Sequence, residues 1–199
     1  MSGTTETKGS GGVARDSATG KYMGGQYVYI NSYLRTGKPP SQNSVDLANT
    51  MKGELPHFPR VPSGRTLYRH VGGREILKDD NKEYGNKRRE PFRTGGVFRD
   101  KGFMSTSKTE ENITEAVKNS LKTQHVLVIT TCADSAARDV SALRANVDEA
   151  EAIYPPEVKF KVISKSNRKF GSQTARVWNL QEQTEGLHKG SASMATMAD

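Results

Sequence analysis

The order of the periodic segments constrains this fold most: helices come first, and mostly strands follow at short intervals. In Tyr27–Arg35 (YVYINSYLR), Tyr27, Ile30, Tyr33 and Leu34 fall at spacings of three and four, which predicts an amphipathic helix ended by Gly37 and Pro39-Pro40. Ser44 is placed to cap a second helix over Val45–Lys52, with Leu47, Ala48 and Met51 on one face. The proline-rich stretch ELPHFPRVPSG then reads as an extended loop. Thr66–Val71 and Gly102–Ser107 read as strands. Ser107 and Glu110 fit a capping box before a helix that carries Ile113, Ala116, Val117 and Leu121. His125–Thr131 is an apolar strand, residues 132–150 read as loop, and Ala152–Tyr154, Val158–Ser164 and Thr174–Leu180 complete the core. This order predicts an α+β domain with antiparallel sheets, not a wound parallel sheet.

Only 33% of the residues are hydrophobic, and the shortfall lies mostly at the two ends. Residues 1–21 are rich in Gly, Ser and Thr, and residues 181–199 hold a single Leu. Neither end buries enough apolar surface to offset its ordering entropy, so both are expected to be disordered around one domain at 22–180. No run approaches the length of a membrane-spanning helix, and the N-terminus has no apolar signal core. The one cysteine, Cys132, ends an apolar run and reads as a structural thiol; it excludes an internal disulfide framework. The net charge of +8 invites an anionic partner, with basic clusters at Lys82–Arg93 and Lys159–Lys169.

Familiar enzyme motifs are mostly absent. There is no phosphate-binding glycine loop after a strand, no HExxH, and no metal spacing among His57, His70, His125 and His188. Three features stand out instead. Arg69 lies inside a short apolar strand, Ser105-Thr106-Ser107 follows Phe103-Met104, and Glu149-Ala150-Glu151 enters a strand that runs into Pro155-Pro156. Carboxylates at i and i+2 share one face of a strand, where their repulsion raises a pKa unless something offsets it. Each feature alone is also compatible with a solvated strand face, a strand end or a loop edge.

In this order, LYRH around Arg69, GFMSTS at 102–107 and EAEAIYPPEVKFKV from Glu149 to Val162 resemble the Arg, Ser-Thr-Ser, Glu-x-Glu signature of the arginine-specific mono-ADP-ribosyltransferases. YINSYLRTG also resembles the helix preceding the first motif in bacterial toxin members. The resemblance implies two roughly perpendicular antiparallel sheets with NAD in the cleft between them. It implies that Arg69 contacts the pyrophosphate, and that Ser105 hydrogen-bonds Glu151. Thr106 and Ser107 would shape the nicotinamide pocket, and His70 would contact nicotinamide through its backbone or pack. Glu151 would hold the ribose 2′-hydroxyl and stabilise the developing positive charge, and Glu149 would orient the incoming guanidinium and help deprotonate it. Glu, not Gln, at position 149 points to an arginine acceptor; loop 134–148 would face the target and loop 72–98 the phosphates.

The expected reaction is transfer of ADP-ribose from NAD, without a metal, to an arginine of a target protein. The competing readings are an NAD glycohydrolase of the same fold and a basic nucleic-acid-binding or adaptor module. The resemblance further implies a toxin or effector exported by a specialised route to act in a target-cell cytoplasm. An acidic immunity protein covering the cleft would suit the charge.

Overall fold

The computed structural model describes residues 17–72, 93–119, 124–144 and 150–183. The expectations for residues 1–16, loop 73–92, Leu121, Glu149 and residues 184–199 lie outside these. Helix α1, Ala18–Lys21, falls within the stretch expected to be disordered. It is ordered by a carboxylate: Glu54 accepts from the main-chain N–H of Ala18 (3.1 Å) and Thr19 (2.9 Å) and from the Thr19 hydroxyl (2.9 Å). An anion at a helix start satisfies orphan donors and complements the dipole.

The chain then turns at Gly25, whose φ of +117° suits glycine, into α2, Tyr27–Thr36. This helix ends at left-handed Gly37, as its sequence predicts. Ile30 is fully buried, and so, unexpectedly, is Asn31. Helix α3, Gln42–Glu54, starts earlier than expected because Ser41, not Ser44, is the cap; its Oγ accepts from Ser44 N. Ala48 and Met51 are buried as predicted.

The strands are β1 (Thr66–Gly72), β2 (Val97–Arg99), β3 (Met104–Ser107), β4 (Gln124–Thr130), β5 (Arg138–Asp139), β6 (Glu151–Tyr154), β7 (Lys159–Phe170) and β8 (Gln173–Glu182). Helix α4, Glu110–Lys118, follows β3. Its N-cap is Thr109, not Ser107, so the expected capping box does not form; Ser107 Oγ instead accepts from Thr109 N at 3.1 Å. β5 falls within the segment read as loop, and β8 runs two residues past the expected domain end, with Glu182 buried.

Hydrogen bonds link the strands in the order β2-β7-β8-β4-β1-β3-β6-β5. One pair departs from the antiparallel expectation: β4 and β8 run parallel. This continuous ladder folds back on itself. Tyr154 of β6 packs edge-on against Phe160 of β7 at 5.0 Å, although these strands lie near opposite ends of the order. One buried cluster accordingly joins Met104, Ala152 and Tyr154 from one half to Val162, Trp178 and Leu180 from the other. The N-terminal helices cover a second cluster containing Phe103 and Ile153, and α4 covers a third with Ile113 and Val117. The result is a mixed α+β fold with N-terminal helices on a folded multi-strand sheet.

Glu182 ties the end of β8 to the loop after β4. Its carboxylate accepts from Cys132 N (3.2 Å), Ala136 N (2.7 Å) and the Tyr154 hydroxyl (3.3 Å). Cys132 is half-buried; desolvation, then the Glu182 charge, push its thiol pKa up, away from the range of a reactive thiolate.

Candidate active site

β1 and β3 pair in register only at Tyr68–Ser107. Beyond that rung a cleft of about 770 Å³ opens. It is lined by Tyr22, Met23 and Tyr27 from the N-terminal helices and by Tyr68, Arg69 and His70 of β1. Ser105, Thr106 and Ser107 of β3, Asn112, Ile113 and Glu115 of α4, and Ala150 and Glu151 at the start of β6 complete it. Six of the seven residues singled out in the sequence therefore share one cavity. The seventh, Glu149, lies outside the described residues.

Each is held by its strand. Arg69 Nη1 donates to the main-chain carbonyl of Ser105 at 2.8 Å, bridging β1 and β3 where ladder pairing has ended. Thr106 is buried, and its hydroxyl donates to Ala152 O at 2.8 Å, bracing β3 against β6. Ser107 Oγ donates to Thr109 O at 2.8 Å and accepts from Asn112 Nδ2 at 3.3 Å, fixing the start of α4 against the cleft. Ser107 and Glu151 are ladder partners, so both belong to the same sheet face. The Glu151 carbonyl accepts from Val140 N at 3.2 Å, tying the root of β6 to the segment before it. Ser105 Oγ donates to the Tyr22 hydroxyl at 3.5 Å, not to the Glu151 carboxylate expected to receive it.

Tyr22 and Asn31 are the residues the sequence reading passed over. The sequence alone did not mark them: only the structure shows Asn31 as a polar side chain buried beside Ile30. The Tyr22 ring packs edge-on against Phe103 at 5.7 Å, and its hydroxyl donates to Phe103 O at 3.0 Å. Burial pushes its phenol pKa up. Arg69 opposes that and Glu151 adds to it, which places this hydroxyl in the field of both charged cleft residues.

Chemically, the cleft offers a guanidinium fork for an anion, a carboxylate for a hydroxyl or a developing cation, and aromatic rings for planar groups. Among the described residues, no cluster of His, Cys, Asp and Glu has metal-binding geometry.

The family model described as ADP-ribosyltransferase exoenzyme matches residues 14–185. No curated protein matches in sequence. Among solved structures, the fold resembles the ADP-ribosyltransferase Vis from Vibrio splendidus, solved in complex with agmatine: TM-score 0.63 at 18% identity, over 91% of this chain and 80% of that one. It also resembles Exoenzyme S from Pseudomonas aeruginosa, solved with human 14-3-3 protein beta and bound to Carba-NAD: TM-score 0.57 at 19% identity, over 90% and 82%. The ADP-ribosylating toxin BECa of C. perfringens, solved with NADH, gives 0.66 at 21%, over 83% of this chain and 42% of the toxin.

Proposed function

The chain belongs to the ADP-ribosyltransferase exoenzyme family, and from that premise we propose that it transfers ADP-ribose from NAD to an arginine side chain of a target protein. The observation that carries this reading is the convergence of Arg69, Ser105 and Glu151, from three different strands, on one cleft. Glu149 stands two residues before Glu151 in sequence.

The chemistry asks for these groups. The bond between the ribose anomeric carbon and nicotinamide breaks with its electron pair leaving on nicotinamide, so positive charge grows on the sugar. A carboxylate fixed beside it, Glu151, stabilises that charge without reorganising. The pyrophosphate is a dianion, and the Arg69 fork meets it bidentately. Ser105, whose hydroxyl proton goes to the Tyr22 oxygen, turns its lone pairs to the cleft, where it accepts from a ribose hydroxyl rather than holding the Glu151 carboxylate. A guanidinium nitrogen then forms the new bond to the anomeric carbon and must lose one proton. Since a free guanidinium stays protonated up to a pH of about 12, a base has to take that proton as the bond forms. Glu149 supplies it. The agmatine bound to Vis carries a guanidinium, which supports an acceptor of this class.

The context follows the family: we read the protein as a toxin or effector that acts inside a target cell after specialised export. The charge of +8 suits an acidic immunity partner over the cleft. Incubation with labelled NAD and a cell lysate, followed by peptide mass spectrometry, tests the acceptor. The expected adduct sits on arginine. Adducts on other residues would overturn the acceptor assignment, and NAD loss with no adduct would mean that water is the acceptor.

A further inference from the structure

Alternate residues of a strand aim their main-chain groups at the same neighbour. Along the edge of β3 that faces β1, those residues are Phe103, Ser105 and Ser107, and each is met by something different. Ser107 is in register with Tyr68 of β1. Ser105 has its carbonyl bound by Arg69 Nη1. Among the described residues no strand pairs with Phe103 on this edge; the Asn31 side chain stands there instead. Its Oδ1 accepts from Phe103 N at 2.9 Å and its Nδ2 donates to Phe103 O at 3.0 Å, the two bonds a strand neighbour would make.

The same amide reaches further. Asn31 Nδ2 also lies 3.2 Å from the Tyr22 hydroxyl oxygen. That hydroxyl spends its one proton on Phe103 O, so its oxygen can only accept from Asn31 and from Ser105 Oγ. Burial, which raises the Tyr22 pKa, keeps this polarity fixed over the working pH range. The approach is close enough to dictate the neighbouring residue. A Cβ on Gly102 would stand 2.7 Å from Asn31 Oδ1 and 2.9 Å from its Cγ. Glycine is required there for the amide to reach the strand.

We infer that Asn31 is a positioning residue for the cleft: it replaces a missing strand neighbour at Phe103 and, through the Tyr22 hydroxyl, fixes the orientation of Ser105. A serine side chain otherwise samples three staggered wells. The Asn31–Tyr22 relay selects one and sets β3 at the height where Arg69 meets the Ser105 carbonyl. This deepens the ADP-ribosyl-transfer reading and rests on it.

The test is a double-mutant cycle in steady-state NAD turnover, with Tyr22→Phe, Ser105→Ala and the pair. Tyr22→Phe removes one oxygen and keeps the ring packing. It should leave the melting temperature within a few degrees and the NAD KM within about twofold, and lower kcat roughly tenfold, the size of one net hydrogen bond. The pair should be no slower than Ser105→Ala alone, because the relay acts only through Ser105. Asn31→Ala should lower kcat at least as far as Tyr22→Phe; should it fail to fold, the Tyr22→Phe cycle decides. Full kcat in Tyr22→Phe, or losses that multiply in the pair, would overturn the relay while leaving the reading of the cleft intact. Ser105→Ala at the wild-type rate would overturn both.

Discussion

Arg69 is the one guanidinium among the described residues that line the cleft. A strand arginine is ordinarily a solvated face residue, yet this one lines the cleft with one donor committed to Ser105 O. Its role toward the pyrophosphate predicts that Arg69→Ala raises the NAD dissociation constant about 10- to 100-fold, the loss of one charge-assisted contact of roughly 1.5–3 kcal/mol. Calorimetric titration with NAD measures this, and unchanged affinity would contradict the role. Arg69, Ser105 and Glu151 were legible in the sequence because their chemistry is unusual for their local setting. Tyr22 and Asn31 were not, because what makes them functional is a partner far along the chain. Phe103 is 81 residues from Tyr22 and 72 from Asn31.

At the scale of elements, periodicity located most helices and strands, but ends and neighbours were decided by contacts it does not encode. The cap of α3 moved to Ser41, and α1 formed because Glu54, more than thirty residues on, holds its first donors. β5 was hidden in a small polar stretch because pairing with β6, not propensity, makes it a strand. Its Asp139 accepts from Lys108 Nζ at 2.7 Å and from the main-chain N–H (3.1 Å) and hydroxyl (2.7 Å) of Ser141. Burial alone would raise the Asp139 pKa, but these bonds outweigh it and hold the carboxyl below its ordinary value. A depressed folded pKa stabilises the fold at pH above the unfolded value of about 3.9, and that contribution is lost as pH falls through the folded one. Thermal melts from neutral to strongly acidic pH should therefore show a steeper acid loss in wild type than in Asp139→Asn. Parallel curves would show that Asp139 carries no acid-labile stability.

For the whole molecule, the ladder must fold over so that its two halves share one core, and the cleft opens where β1 and β3 part at the fold. The α+β class was legible from element order; the parallel β4–β8 pair was not, since it joins strands distant in the chain. Phe160 sits in the shared core against Tyr154 and is almost fully buried. Phe160→Ala should cost about 3–5 kcal/mol in denaturant unfolding; a loss below about 1 kcal/mol would mean the halves do not depend on that contact. The two glutamates divide the labour in the proposed reaction, Glu151 serving bond cleavage and Glu149 the acceptor. The most direct test is label transfer from NAD to protein, measured beside nicotinamide release, for wild type, Glu149→Ala and Glu151→Ala. Labelled protein is expected with wild type alone, residual nicotinamide release with Glu149→Ala, and neither activity with Glu151→Ala. Equal loss of both activities in the two variants would contradict that division, and full transfer by Glu151→Ala would contradict the site itself.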